Sequence, residues 1–256
     1  MRRNAPELME QDRIGRWVDA LERRYLRELS FAEIRRGVQA LSSLYVERRG
    51  ARLTAGSALD GRGKRAAFAL FYAPLHLLLV THIVQAVAAK EPPAEIVDLG
   101  CGTGVASAGW ALTVPRSPRI VGVDKNGWAL SEARWTWREL RLRGSTKRQD
   151  AAEARVSGIG VGVVAAFTVN EIVEATRAAL LLRLLGPGRP PGRLLVVEPL
   201  ARRAAPWWPT WRQAVLERGG REDEWRIRAD LPEPLRRLDR AAGLSHEVLS
   251  ARTLWL

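Results

Sequence analysis

The sequence predicts an α/β fold organised on a parallel, nucleotide-binding sheet, and three observations carry that expectation. Glu95-Ile96-Val97-Asp98-Leu99 has the aliphatic residues of a buried parallel strand. It runs straight into Gly100-Cys101-Gly102-Thr103-Gly104, a turn whose glycines lack the Cβ atoms that hold a ligand off a backbone. A helix opening at about Gly104 turns its free N–H groups toward whatever lies over that turn. Arg119-Ile120-Val121-Gly122-Val123-Asp124 reads as the next strand, and its terminal carboxylate follows Asp98 by 26 residues (124 − 98 = 26). That is the length of a strand, turn, helix and return strand, and a carboxylate at that tip accepts from both hydroxyls of a ribose.

From the N-terminus, residues 8 to 27 place Ile14, Trp17, Val18, Leu21 and Tyr25 at helical spacing, with arginines on the other faces. Ser30-Phe31-Ala32-Glu33 is a capping box, after which Phe31, Ile34, Val38, Leu41 and Tyr45 carry a second stripe to about Arg48. Arg49 to Gly63 reads as a connection. Gly61-Arg62-Gly63-Lys64-Arg65 lacks the spacing and the Ser or Thr of a phosphate loop and reads as a solvated basic edge, with a grip on an RNA backbone as its functional reading. The helix from Arg65 to Ala89 is apolar, but Pro74 and the polar Tyr72, His76, Thr81, His82 and Gln85 make it a buried helix rather than a bilayer span.

Beyond Asp124, Lys125-Asn126-Gly127 turns into a helix reaching about Arg143 and carrying Trp128, Trp135 and Trp137. Gly160 to Phe167 is a central strand, and Thr168-Val169-Asn170-Glu171 sits at its carboxyl end, where open α/β sheets bind ligands. Asn170 also suits the cap of a helix over Ile172 to Leu185. Arg193 to Pro199 is a further strand, followed by Pro206-Trp207-Trp208-Pro209-Thr210-Trp211. Glu224 to Arg228, Leu235 to Ala242 and Glu247 to Thr253-Leu254 close the chain as strand, helix, strand.

Composition bounds the chemistry. A chain of 256 residues with 46% hydrophobic and 27% charged residues holds one sizeable α/β domain and a smaller appendage. A single cysteine forbids an internal disulfide, cannot build a metal cluster alone and fits a reducing cytoplasm; no metal site is expected. The first residues lack the apolar core of a secretory signal. A net charge of +13 points to a polyanionic partner, although only Lys64, Lys90, Lys125 and Lys147 of the 41 basic residues are lysine, an arginine excess that coding bias also produces.

Val97-Asp98-Leu99-Gly100-Cys101-Gly102-Thr103-Gly104, with Val123-Asp124, resembles the first two cofactor motifs of class I S-adenosylmethionine-dependent methyltransferases. A dinucleotide fingerprint would space its third glycine one residue further. The resemblance implies a Rossmann-like seven-stranded sheet, mostly parallel with its last strand antiparallel, over residues 65 to 256 (65–92 leading helix, 93–256 sheet core), behind a basic helical region at 1–64. It implies S-adenosyl-L-methionine as cofactor, with Gly100, Gly102 and Gly104 admitting it and Cys101 a small turn residue. Asp98 would fix its ammonium directly or through water, Asp124 its ribose and Asp150 in Gln149-Asp150-Ala151 its adenine amine, with Lys125 also among the cofactor-binding residues.

Substrate groups are placed on the same basis. Asn170 and Glu171 are the candidates for chemistry; Trp207 and Trp208 read either as core packing or as stacking a base at roughly 1–3 kcal/mol each, and Tyr72 and His76 either as core packing with the polar tip hydrogen-bonded or as facing the ligand across the cleft. Methylation of a pyrimidine carbon is set aside because the only thiol, Cys101, lies in the cofactor turn. Arg65-Ala66-Ala67-Phe68 and Tyr72-Ala73-Pro74, with the basic N-terminus, resemble bacterial relatives of the methyltransferase-like proteins of the mitochondrial small ribosomal subunit. The iron–sulfur cysteines of larger members are missing here. The resulting expectation is methyl transfer to RNA, ribosomal RNA first, with RNA or the small ribosomal subunit as partner. A small-molecule or protein methyltransferase and a non-catalytic assembly factor are the alternatives.

Overall fold

Seven strands form one sheet in the order β3-β2-β1-β4-β5-β7-β6 in the computed structural model, which describes residues 5–47, 59–87, 92–156, 158–186, 191–201 and 205–256. The strands are β1 (Glu95–Leu99), β2 (Arg119–Asp124), β3 (Gly144–Arg148), β4 (Gly158–Ala166), β5 (Pro191–Glu198), β6 (Arg221–Arg228) and β7 (Val248–Trp255). Strands β1 to β5 pair in parallel. β7 inserts between β5 and β6 and runs antiparallel to both, so the chain has the mixed sheet the sequence predicts. The order reverses at β1, and the adjacent crevice beyond the strand ends is where ligands bind such sheets.

The helices are α1 (Ala5–Leu26) and α2 (Phe31–Glu47), α3 (Arg62–Val87), α4 (Val105–Leu112), α5 (Gly127–Glu139), α6 (Glu174–Leu185), α7 (Trp208–Leu216) and α8 (Glu233–Ala241). Alternating side chains send each strand's residues to two cores. Ile96, Ile120, Val164 and Leu195 pack with α1 to α5 and α8, while Val97, Val121, Val163 and Leu194 pack with α6 and α7. The N-terminal helices share the first core through the buried Trp17, Val18, Ile34 and Val38. Arg24 of α1 reaches α5, donating to both oxygens of the buried Glu132 at 2.7 and 2.9 Å. The capping box is formed: Ser30 N–H donates to Glu33 Oε2 at 2.8 Å and Glu33 N–H to Ser30 Oγ at 3.3 Å.

Three local features depart from the expectation. β3 reads Gly-Ser-Thr-Lys-Arg, without an aliphatic residue, and its propensity says loop. It forms because an edge strand needs only one partner, β2, and because Gly144 lets the Trp137 ring press on its backbone: a Cβ there would lie 2.1 Å from the indole. Secondly, α3 contains a π-helical turn at Phe68–Tyr72, a feature frequent at functional sites. Thirdly, Asn170 does not cap α6. It lies in a 3₁₀ turn, Val169–Glu171, and the N-cap is Val173 with no side-chain bond. Helix α3 is long and apolar enough to cross a membrane by length and composition, but 78% of its apolar window is buried inside the fold. Most of the predicted connection at 49–63, the end of the predicted leading helix at 88–89 and the Tyr45 side chain lie outside the described residues.

Candidate active site

A cleft of about 2010 Å³ opens at the carboxyl ends of β1, β2, β4 and β5, larger than the 300–1,000 Å³ that a drug-sized ligand fills. It has room for two ligands. The glycine turn forms its floor, α3 one wall, and the loops after β4 and β5 the other.

The turn glycines divide by role. Gly100, Gly102 and Gly104 all have positive φ, at 66°, 49° and 78°, where a Cβ is strained. A Cβ on Gly100 would meet Thr168 at 2.4 Å and one on Gly104 would meet Trp137 at 2.7 Å, whereas one on Gly102 meets nothing within 4 Å. Gly100 and Gly104 are thus fixed by the protein's own packing, and Gly102 alone leaves open space over the backbone. Gly100 and Gly102 both line the cleft. Trp137 donates its indole N–H to the Gly104 carbonyl at 2.8 Å, and its ring also fills the space that a Cβ on Gly122 would need. Cys101 is buried against that same glycine, and burial raises its thiol well above the ordinary range, consistent with a packed turn residue.

Asp98 is 1% exposed and accepts from Ser107 N–H at 3.1 Å through Oδ2. Its Oδ1 and the hydroxyl of Thr103 are buried with no hydrogen-bond partner among the described residues, and both residues line the cleft. Desolvation pushes the Asp98 carboxyl up to about 6, opposed by the Ser107 bonds. A buried carboxylate oxygen without a partner suits a cationic ligand group such as an amino acid's ammonium. Asp124 stands at the tip of β2, Oδ2 accepting from Gly102 N–H at 2.9 Å and Oδ1 from Asn126 N–H at 2.8 Å. Each oxygen keeps a lone pair for a hydroxyl, so Asp124 holds the turn and can still meet a ribose. Lys125 lines the cleft and its ammonium lies 2.5 Å from Asp150 Oδ2. Asp150 itself is engaged by that pair and by Ala152 N–H at 2.9 Å, and it is not among the residues lining the cleft; Arg148 is.

Asn170 and Glu171 reach the cleft at the end of β4. Asn170 Nδ2 donates to Glu198 Oε2 at 2.8 Å, its backbone N–H to Glu198 Oε1 at 3.3 Å, and its Oδ1 accepts from Trp207 Nε1 at 2.6 Å. Glu198, fully buried at the end of β5, was not evident from sequence, where it reads as one more strand residue. Desolvation raises its carboxyl to about 8, opposed by the backbone N–H groups of Asn170 and Val169. Glu171 is exposed and lines the cleft, and desolvation followed by Asp124 raises its carboxyl to about 7.

The two tryptophans separate. Trp207 lines the cleft. Trp208 is buried, donates to Glu222 at 2.7 Å and stacks on the Arg252 guanidinium at 4.1 Å, so it packs the fold and presents no face for a base. Across the cleft, Tyr72 and His76 do line it. His76 stacks on Phe167, ring centres 4.2 Å apart, and desolvation with the nearby His246 lowers it to about 4, leaving it neutral at pH 7. Burial raises the Tyr72 phenol to about 12. Phe167 has φ +57°, a conformation a bulky residue holds only where its surroundings impose it. No group of three or more potential metal-ligating residues occurs among the described residues.

Residues 77–170 match the family described as methyltransferase small domain, a span running from α3 through the glycine turn and β2 to Asn170. No curated protein matches the sequence. Among solved structures, the chain is similar to a SAM-dependent methyltransferase from Aquifex aeolicus, at 12% identity over 72% of this chain and 91% of that one with a TM-score of 0.47. It is also similar to the magnesium protoporphyrin IX methyltransferase of Synechocystis PCC 6803 with bound SAM, at 15% identity over 85% and 95% with a TM-score of 0.49. None of these comparisons supports the resemblance to mitochondrial small-subunit proteins. The family match and the residues lining the cleft support a methyltransferase whose cofactor is S-adenosylmethionine.

Proposed function

We propose that this protein methylates RNA, with S-adenosylmethionine held over the glycine turn and the acceptor entering between α3 and the ends of β4 and β5. The observation that carries the cofactor half is the buried, unpartnered Asp98 Oδ1 on the cleft wall, with the Asp124 carboxylate at the β2 tip for the ribose. When bound, the cofactor supplies a sulfonium-activated methyl group, so the protein need only align a nucleophile and exclude water, effects worth as much as ~7–11 kcal/mol.

RNA is the acceptor favoured by charge and by the lining of the cleft. The chain carries +13, and the space beside the cofactor turn is walled by Phe68, Tyr72, His76 and Phe167, side chains on which bases stack. Asn170 is the group aimed at the acceptor, its amide held in one orientation by Glu198 and Trp207. Two binding measurements test this. Calorimetry with S-adenosylhomocysteine should show one site per chain. RNA affinity should fall steeply with salt, as phosphate contacts require, and a flat salt response would exclude RNA.

A further inference from the structure

Outside the residues already assigned, the cleft contains a hydrogen-bonded carboxylate–imidazole pair. His246, in the turn between α8 and β7, places Nδ1 2.7 Å from Asp239 Oδ1, and its backbone N–H donates to Asp239 Oδ2 at 2.9 Å. Asp239 is 6% exposed on α8, so its carboxylate is fixed from both sides by the residue it orients. His246 lines the cleft, and among the described residues its Nε2 has no hydrogen-bond partner. Phe71 of the π-helical turn packs edge-on to the imidazole, centres 5.1 Å apart. The same turn presents Phe68 and Tyr72 to the cleft beside His76, whose ring lies 6.2 Å from that of Phe68.

These elements have no evident use in holding a cofactor over the glycine turn. We propose that the lobe walled by Phe68, Tyr72, His76 and Phe167 binds a planar nitrogen heterocycle of nucleobase size, with the Asp239–His246 pair as acceptor of its N–H proton. This deepens the RNA reading, on which it rests for its substrate class. A carboxylate on Nδ1 fixes the tautomer that leaves a lone pair on Nε2, the form that accepts a hydrogen bond. Proton transfer then breaks the N–H bond of the heterocycle, leaves its electron pair on nitrogen and forms Nε2–H, while Asp239 offsets the imidazolium charge. Asn170, tied to Glu198 and Trp207, orients the acceptor and takes no proton.

The protein has only three histidines, His76, His82 and His246, so nitrogen NMR resolves each imidazole. In the wild-type protein the neutral His246 ring should carry its proton on Nδ1; a proton on Nε2 overturns the proton-acceptor assignment without recourse to any variant. Asp239→Asn should move that proton to Nε2. Titration of AMP, GMP, CMP and UMP into protein saturated with S-adenosylhomocysteine should shift the His246 Nε2 resonance with at least one of them. His246→Gln should weaken that nucleotide at least tenfold while cofactor affinity stays within twofold. No response of His246 to any of the four, with the cofactor product bound, overturns the pocket and leaves the cofactor site standing. Failure of S-adenosylhomocysteine to bind overturns the cofactor reading instead, and the titration repeated with GMP, CMP and UMP alone still reads the pocket.

Discussion

Replacing the buried Asp98 is expected to change both folding stability and cofactor binding. Its carboxyl is raised from an ordinary 3.8 to about 6, chiefly by desolvation. An acid whose folded value lies above its unfolded value favours folding below the unfolded value and loses that contribution as pH rises through the folded one. That rise at Asp98 corresponds to roughly 3 kcal/mol of differential interaction between the protonated and ionised forms. Most of it develops between pH 4 and pH 8. In Asp98→Asn the side-chain oxygen can still accept from Ser107 N–H, but nothing titrates. The buried amide carries its own penalty, about 1–3 kcal/mol, and because that penalty is independent of pH it cancels when the two proteins are compared across pH.

Urea unfolding of both proteins at pH 4 and pH 8 should therefore show wild type losing roughly 2–3 kcal/mol relative to Asp98→Asn between those values. Cofactor affinity should fall at the same time, because the unpartnered oxygen is what the ligand's ammonium needs. Parallel pH profiles would refute the argument that this carboxylate is held ionised at a cost for a cationic ligand to offset.

The glycine turn yields a second contrast. Gly104→Ala combines a strained φ of +78° with a Cβ 2.7 Å from Trp137, so it should cost ~2–4 kcal/mol from strain and overpacking together, while Gly102→Ala should cost only ~1–2 kcal/mol yet impair cofactor binding; equal stability losses by urea unfolding would contradict the division of roles. Asp124→Asn should weaken S-adenosylhomocysteine by ~1.5–3 kcal/mol, the worth of charged hydrogen bonds, and calorimetry showing unchanged affinity would remove the ribose assignment. Trp207→Phe keeps most of the ring's packing but deletes the N–H that holds Asn170 Oδ1 at 2.6 Å; the expected result is a slower transfer rate with cofactor affinity unchanged, against an unchanged rate if Asn170 needs no orientation.

Features of this protein built from neighbouring residues were legible in the sequence. The strand at 95–99, the glycine turn and the carboxylate at 124 are one local unit, and apolar alternation with glycine spacing is enough to reveal it. The capping box at Ser30 and the apolar face of the N-terminal helices are local in the same way. What escaped depends on long-range pairing. β3 has no apolar pattern because its side chains are largely exposed and its stability comes from β2 and Trp137. Glu198 is the end of a hydrophobic strand until Asn170, 28 residues earlier, is seen donating to it. His246 and His76 lie 170 residues apart (246 − 76 = 170), and nothing in either neighbourhood announces that both line one cleft. Trp207 and Trp208 are adjacent and chemically identical, so only the fold could show that one lines the cleft and the other packs against Arg252.

Methyl transfer itself is tested by incubating the protein with labelled S-adenosylmethionine and total RNA, immature small ribosomal subunits, protein and small-molecule fractions, counting each separately. Label should appear in RNA and fall at least a hundredfold in Asn170→Ala. Label confined to protein or small molecules would contradict the RNA substrate, and label in no fraction, with cofactor still bound, would contradict catalysis and leave a cofactor-binding assembly factor.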